Sequence, residues 1–488
     1  MLNPIRLLAL TFFADPSFNQ KVKDGSVTSL PSIGGIPGIS GQPSLPANFI
    51  SEGLSEPGTW PSLPSFDIPP SIFSWVGDNH QYPQTPAKDP FYDPPLSTYQ
   101  NLKNGDVIAI RPVGLKALFP ELSRAYQISY RSESATGNPT VDVTTVLIPK
   151  NYDGKHVVSW QDWEDSNNLK CAPSYLFEAG IRDPTVDLMM LQGWALNVPD
   201  HEGLNSAFAA GYKSGKATLD SIRALKNAAS QINLSYEEVG LYGYSGGSIA
   251  TGFAIELQPS YAPDVQIKAA SMGGVVASLN ATFYTINKSL FAGFAFAGLY
   301  GLATEYGFYE TLEANIKADS RNRANEVLDH CLIWDILNYV GEDVFDYTTL
   351  GPQAVNVPAI KDTLEREHMG FAVPKVPIFI HQGASDEIAP VGKVDDLVNF
   401  YCQNGVDVIY ERDNGVGHII EMVVGVANVI QYFQKVFNDN YVPPSCSNYQ
   451  QAVSNNNLNQ ASPSDKQALN RAILGDYSGY GLQRAPLF

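Results

Sequence analysis

The chain is poor in positive charge: 31 Lys and Arg stand against 50 Asp and Glu in 488 residues, a formal net charge of −19. That balance argues against a broad basic patch for nucleic acid or an anionic membrane surface. Cysteine is scarce too, with Cys171, Cys331, Cys402 and Cys446 the whole set. Their spacing is too wide for a zinc site, which leaves two disulfides or buried thiols. Long apolar runs are also missing, since no stretch reaches the ~18 consecutive apolar residues of a membrane-spanning helix. No cofactor is expected, and the protein is expected to be a monomer. What remains is a chain with 44% hydrophobic residues, enough for one large domain with insertions or for two domains.

The first residues carry one cation, Arg6, and a short apolar run from Leu7 to Ala14, a poor version of a secretory signal. Three acceptor triplets for N-glycosylation begin at Asn233, Asn280 and Asn287. With the even cysteine count they favour a secreted protein. From about Ser26 to Pro86 the chain is rich in Pro, Gly and Ser, as in SIGGIPGISGQPSLP. Such a composition buries too little apolar surface to offset ordering entropy, so residues 1–88 are expected to be a signal-like segment followed by an extension.

A globular pattern starts near Asp89. Asp106–Val113, Ala125–Ser132, Val141–Ile148 and His156–Trp160 are β-branched and aromatic runs between turn residues, as expected of strands. Trp194–Pro199 reads as a strand before a helix over Ala210–Ala228, in which Leu219, Ile222 and Leu225 share a face. Val239–Tyr244, Val265–Ser271, Pro377–Gln382 and Val406–Glu411 then alternate with helical segments. An antiparallel start followed by β-α alternation predicts an α/β fold with a mostly parallel central sheet. The alternation breaks over residues 275–373, which read as helices without a clear strand, a cap (lid) inserted into a domain formed by 89–274 and 374–488.

The chemistry centres on Gly243-Tyr244-Ser245-Gly246-Gly247, a G-x-S-x-G between the strand VGLY and the helical stretch SIATGFAIEL. The glycines permit a tight turn that exposes the serine hydroxyl, and the N–H of Gly246 points where an oxyanion forms. This context predicts an α/β-hydrolase fold with Ser245 as nucleophile. A serine needs a base, and His330, His368, His381 and His418 lie well after it. His330 falls in the cap, His381 within a strand as a partly buried structural residue, and His368 in a loop. His418, in the Gly-rich loop NGVGHII before a helix, is where the base belongs. Asp386, in HQGASDEIAP after a strand, is the candidate acid, with Glu387 a neighbouring competitor and Asp413 read as a turn residue. Asp162, Trp163, Glu164 and Asp165 follow VVSWQ where a second oxyanion donor is sought, but read by themselves they form a solvated turn.

At this point the chain resembles the fungal secretory lipase family. The carrying segments are DPFY at 89–92, WEDSNNLKCAPSY at 163–175, GWALNVPDHEG at 193–203, DSIRALKN at 220–227, GYSGG, FAGFAFAGLYGL, SDEIAP, and Gly417 with His418. The resemblance runs from about Asp89 to the C-terminus. It implies hydrolysis of triacylglycerols and other carboxylic esters, with Ser245, Asp386 and His418 as the triad. It further implies Asp165 as an oxyanion donor beside Gly246, and disulfides Cys171–Cys331 and Cys402–Cys446. Trp163 stands where the family's motif has a tyrosine. A carboxyl can donate to an oxyanion only when protonated, which suits mildly acidic surroundings. Phe291, Phe294, Phe296 and Tyr300 would form an acyl tunnel in the cap, or simply its core. The competing expectations are a carboxylesterase or peptidase on soluble substrates and a catalytically silent binding protein on the same scaffold.

Overall fold

The computed structural model describes residues 85–438 other than 117, 120 and 184, together with 441 and 445–452. The signal-like segment and the extension as far as residue 84 lie outside the described residues.

Among the described residues ten strands form one sheet, in the order β1-β2-β3-β5-β4-β6-β7-β8-β9-β10. β1 (Val107–Val113), β2 (Leu122–Glu133) and β3 (Pro139–Pro149) run antiparallel, and β3 pairs antiparallel with β5 (Ala195–Pro199). From β5 onward every pairing is parallel, through β4 (His156–Gln161), β6 (Glu238–Tyr244), β7 (Ala269–Gly273), β8 (Ile378–Gly383), β9 (Val408–Asn414) and β10 (Ser447–Ala452). Every residue of β5, β7 and β8 is buried, as a parallel sheet covered on both faces requires.

The expected strands all form, with the start of β7 displaced furthest. The run from Val265 does not enter the sheet until Ala269, because the Val265 N–H turns back onto the Ala262 carbonyl at 3.0 Å.

The main helices are α1 (Gly211–Ala228), α2 (Gly246–Tyr261), α3 (Leu279–Ile286), α4 (Ala292–Glu305), α5 (Val391–Gln403) and α6 (His418–Phe437). Leu219, Ile222 and Leu225 of α1 join Phe253 of α2, Leu241 and Ile380 in one core. Val426, Ile430 and Phe433 of α6 join Trp160, Tyr242 and Phe379 in another. α1 and α2 meet backbone to backbone at Gly215, where a Cβ would lie 2.8 Å from the Phe253 carbonyl carbon. Nothing larger than glycine fits there.

Between β7 and β8 the described residues hold no strand, only the isolated bridges Ser278–His368 and Ile316–Thr348. This is the expected helical cap. Its central helix, α4, is buried along nearly its whole length and rests on the loop Ala207–Ala210. A Cβ on Gly301 would meet the Phe208 carbonyl at 2.3 Å. The disulfide Cys171–Cys331 ties the loop after β4 to the cap, and the Leu332 N–H donates to Ser166 Oγ at 3.0 Å beside it. Cys402 pairs with Cys446.

Of the three glycosylation triplets, Asn233 and Asn280 are exposed. Asn287 is engaged, its amide donating to Asp343 at 2.7 Å and accepting from the Val344 N–H at 2.9 Å. A glycan there would displace a formed contact.

Because Cys171–Cys331 closes a loop of 160 residues, replacing both cysteines by alanine should remove roughly 2–5 kcal/mol of stability. Denaturant melts of the two forms, with far-ultraviolet dichroism to show an intact fold, check this. An unchanged midpoint would refute it.

Candidate active site

The turn that carries Ser245 follows from two close approaches. A Cβ on Gly243 would lie 2.1 Å from the Gly247 carbonyl oxygen, and one on Gly247 would lie 2.0 Å from that of Gln161. Glycine at both positions lets β4, β6 and the start of α2 pack together. Ser245, between them, takes φ 55° and ψ −120°, a sparsely populated conformation for a residue with a side chain. Such strain costs on the order of 1–3 kcal/mol and persists only when the surroundings enforce it. Here the Ser245 N–H is fixed on the Gly273 carbonyl of β7 at 3.0 Å, and its own carbonyl accepts from the Ser248 N–H at 2.8 Å.

The hydroxyl so presented lies 2.8 Å from His418 Nε2, and His418 Nδ1 lies 2.8 Å from Asp386 Oδ2. Asp386 is held on three sides. Gln382 Nε2 donates to Oδ2 at 2.6 Å, and the N–H groups of Ile388 and Ala389 donate to Oδ1 at 2.9 and 2.7 Å. Burial pulls the His418 imidazole toward neutrality, but the Asp386 charge and hydrogen bond, with Glu387 and Asp165, outweigh it and leave its pKa above 6.5. The Tyr244 hydroxyl donates to the His418 carbonyl at 2.6 Å.

The competitors fall elsewhere. Glu387 accepts from the backbone N–H of His418 at 2.9 Å and so caps α6 rather than orienting the ring. Asp413 is not a turn residue: β9 runs on to Asn414 and Asp413 is fully buried. His330 stacks on Trp334, and His368 bonds the Glu365 carbonyl on the surface. His381 is completely rather than partly buried, 2.8 Å from Glu421.

The acidic loop after β4 is the clearest correction. Asp162, Glu164 and Asp165 are all buried, not solvated. Their partners come from the segment Asp200-His201-Glu202, distant in sequence. Glu164 accepts from the His201 N–H at 2.7 Å, and the His201 ring bonds the Asp162 carbonyl at 2.7 Å. Glu202 receives the backbone N–H groups of Asp165 and Ser166. Burial, reinforced by neighbouring acids, pushes the Asp162, Glu164 and Glu202 carboxyls well above the usual range. The PDHEG motif was the available signal for this platform, but its partners could not be read from it.

Asp165 adopts φ 45° and lies against Gly246, where a Cβ would come 1.7 Å from its Oδ1. That oxygen is buried without a hydrogen-bond partner. Burial raises the Asp165 pKa to about 7, with the charge of His418 opposing. Gly246 is the first residue of α2, so its N–H has no partner inside the helix. Two donors, one fixed and one dependent on a proton, therefore sit side by side next to Ser245.

Ser245, Gly246 and Asp165 line a cavity whose other walls, Thr282 apart, are apolar. They include Phe208 and Ile249 below and Phe283, Ile286, Phe294 and Leu302 of the cap. Of the four aromatics expected in the tunnel, Phe294 alone lines it. Phe291 stacks behind Phe294, Phe296 packs on Tyr339 and Tyr347, and the Tyr300 hydroxyl bonds Glu313 and Asn325. Among the described residues no group of three His, Cys, Asp or Glu is arranged to hold a metal ion.

Known proteins align with this arrangement. The family model described as "Secretory lipase" matches residues 177–443. Lipase A of Arthroderma benhamiae is 34% identical, covering 75% of this chain and 82% of that protein. A protein of Stachybotrys chartarum named "Probable trichothecene esterase" is 31% identical, covering 74% of this chain and 78% of its own. The crystal structure of Candida antarctica lipase A in its closed state superposes with a TM-score of 0.71 at 29% identity, covering 80% of this chain and 96% of that one. With an α/β-hydrolase fold carrying an inserted helical cap, this chain belongs to the secretory lipase family of carboxylic ester hydrolases.

Proposed function

We propose that this protein is a secreted lipase that cleaves triacylglycerols and related esters through an acyl-enzyme formed on Ser245. The observation that carries the reading is the unbroken line Asp386–His418–Ser245, two contacts of 2.8 Å, opening into an apolar cavity roofed by the cap. His418 Nε2 takes the hydroxyl proton as Ser245 Oγ attacks the ester carbonyl. Asp386 fixes the ring and stabilises its protonated form. The Gly246 N–H and the protonated Asp165 carboxyl stabilise the oxyanion. His418 then gives its proton to the departing alcohol, and water repeats the sequence to free the acid. The acyl chain occupies the cavity between α3, α4 and Phe208. In this reading residues 89–274 and 374–488 form the catalytic domain and 275–373 the cap. Secretion is supported by the family's description and by the two disulfides.

The alternative, an esterase for soluble substrates, has a relative in the Stachybotrys protein. Hydrolysis of emulsified triacylglycerol should exceed that of a short soluble ester. Equal or faster turnover of the soluble ester would remove the lipase assignment while leaving the hydrolase. Ser245→Ala should abolish labelling by a fluorophosphonate and lower kcat by roughly 10⁴-fold or more. Labelling equal to wild type would show another nucleophile.

The oxyanion role of Asp165 has its own signature. The base works only as His418 loses its proton, so the rate rises through its pKa. Ionisation of Asp165 near 7 lowers the rate toward alkaline pH, the reverse of a simple serine esterase. Asp165→Ala should cost about 10²–10³ in kcat. Asp165→Asn, an amide donor that does not titrate, should hold its rate into alkaline buffer. A wild-type rate that persists well above neutral pH would exclude the carboxyl as donor.

A further inference from the structure

Outside the triad, one buried acid–base pair lies directly under it. His381 and Glu421 have no exposed side-chain surface, and Nδ1 of the one stands 2.8 Å from Oε1 of the other. Their positions in the fold are what matter. His381 belongs to β8 and precedes Gln382, which holds the Asp386 carboxylate at 2.6 Å. Successive strand residues face opposite sides of a sheet, so β8 reaches the triad's acid with one side chain and α6 with the other. Glu421 lies in the first turn of α6, three residues after His418, and its N–H bonds the Gly417 carbonyl at 3.1 Å.

The ring of His381 is gripped from both sides. A Cβ on Gly273 would lie 2.1 Å from its Nε2, and one on Gly425 would lie 2.1 Å from its Nδ1. Gly273 is the residue whose carbonyl anchors the Ser245 N–H, and the His381 carbonyl accepts from the Gly274 N–H at 3.2 Å. The Tyr244 ring packs on both imidazoles, with centroids 5.5 Å from His381 and 5.2 Å from His418. His381 thus touches β6 and β7, which flank Ser245, and α6, which carries His418.

Resting on the assignment of His418 as the base, we infer that His381 and Glu421 are positioning residues, a hydrogen-bonded strut from β8 to α6 that holds the His418 ring in line between Asp386 and Ser245. The groups around the strut fit that role. Glu421 also meets Asp413 of β9 in a carboxyl–carboxyl hydrogen bond, which needs a proton between them. Asp386 and His418 act on it from the triad, and Tyr242 and Tyr244 pack from β6. Burial raises the Glu421 pKa to about 8 and lowers that of His381 to about 4. Between about pH 5 and neutrality the strut therefore places no imidazolium beneath the triad, and Glu421 keeps its proton.

The consequence is readable in kinetics. Glu421→Leu breaks the strut and loosens the imidazole from Asp386, whose charge holds its pKa up. The expected result is a fall in kcat of about 10–100-fold with KM within about twofold of wild type. The acid limb of the pH–rate profile should also move down by about one pH unit. Glu421→Gln keeps a hydrogen bond to the ring and should restore both kcat and the limb. Wild-type kcat and limb in folded Glu421→Leu would overturn the proposal. So would an equal loss in Glu421→Gln and Glu421→Leu with the limb unmoved, which is mere packing. Should the leucine variant not fold, His381→Gln read against Glu421→Gln makes the same comparison. Fluorophosphonate labelling of Ser245→Ala and His418→Ala runs alongside: if those proteins label normally, the triad assignment fails and not the strut.

Discussion

The left-handed backbone of Ser245 is the constraint on which the rest of the structure depends. It is tolerable only because β4, β6 and α2 crowd together through glycines and because the Ser245 N–H is tied to β7. The parallel part of the sheet then supplies everything else from one edge. Asp165 follows β4, Ser245 follows β6, Asp386 follows β8 and His418 follows β9. Residues 253 positions apart meet because parallel strands present their C-terminal ends together. The antiparallel strands β1 to β3 contribute breadth and core, not chemistry.

A second theme is the number of carboxyls held away from water. Asp162, Glu164, Asp165, Glu202 and Glu421 are buried around or beneath the site, and desolvation raises the pKa of each. Each such group stays protonated in the fold where an unfolded chain would ionise. Their contribution to stability is therefore complete below the ordinary carboxyl range and is lost as pH rises through the raised values. A hydrogen bond donated by the Asp165 carboxyl would have the same sign, since it exists only while the carboxyl keeps its proton. A low-dielectric acidic site and an acid-favouring fold have one cause.

The wall that the cap gives the cavity is apolar, Thr282 apart. α4 approaches the loop Ala207–Ala210 closely because Gly301 has no side chain, and the space left between α3, α4 and Phe208 is apolar. An alternation of β and α that stops over residues 275–373 was visible in the chain as a missing strand pattern. Which of its aromatics would face the cavity was not, because Phe291, Phe294 and Phe296 lie within one turn and a half of a helix buried on nearly all sides.

The linear order of residues determined the sheet and the cap insertion and pointed to Ser245, Asp386 and His418, which the fold brings within hydrogen-bonding distance. Strand periodicity, the G-x-S-x-G turn, and an Asp and a His each placed on a loop after a strand are local patterns that survive without tertiary context. The two disulfides matched the pairs implied by the family resemblance. The acidic loop after β4 read locally as a solvated turn. Only the fold buried it, because the groups that satisfy Glu164 and the Asp165 backbone lie on residues 201 and 202. The roles of Glu387 and Asp413, and the strut between His381 and Glu421, were likewise decided by tertiary packing. A carboxyl's protonation and partner depend on what surrounds it in space, and no spacing along the chain encodes that.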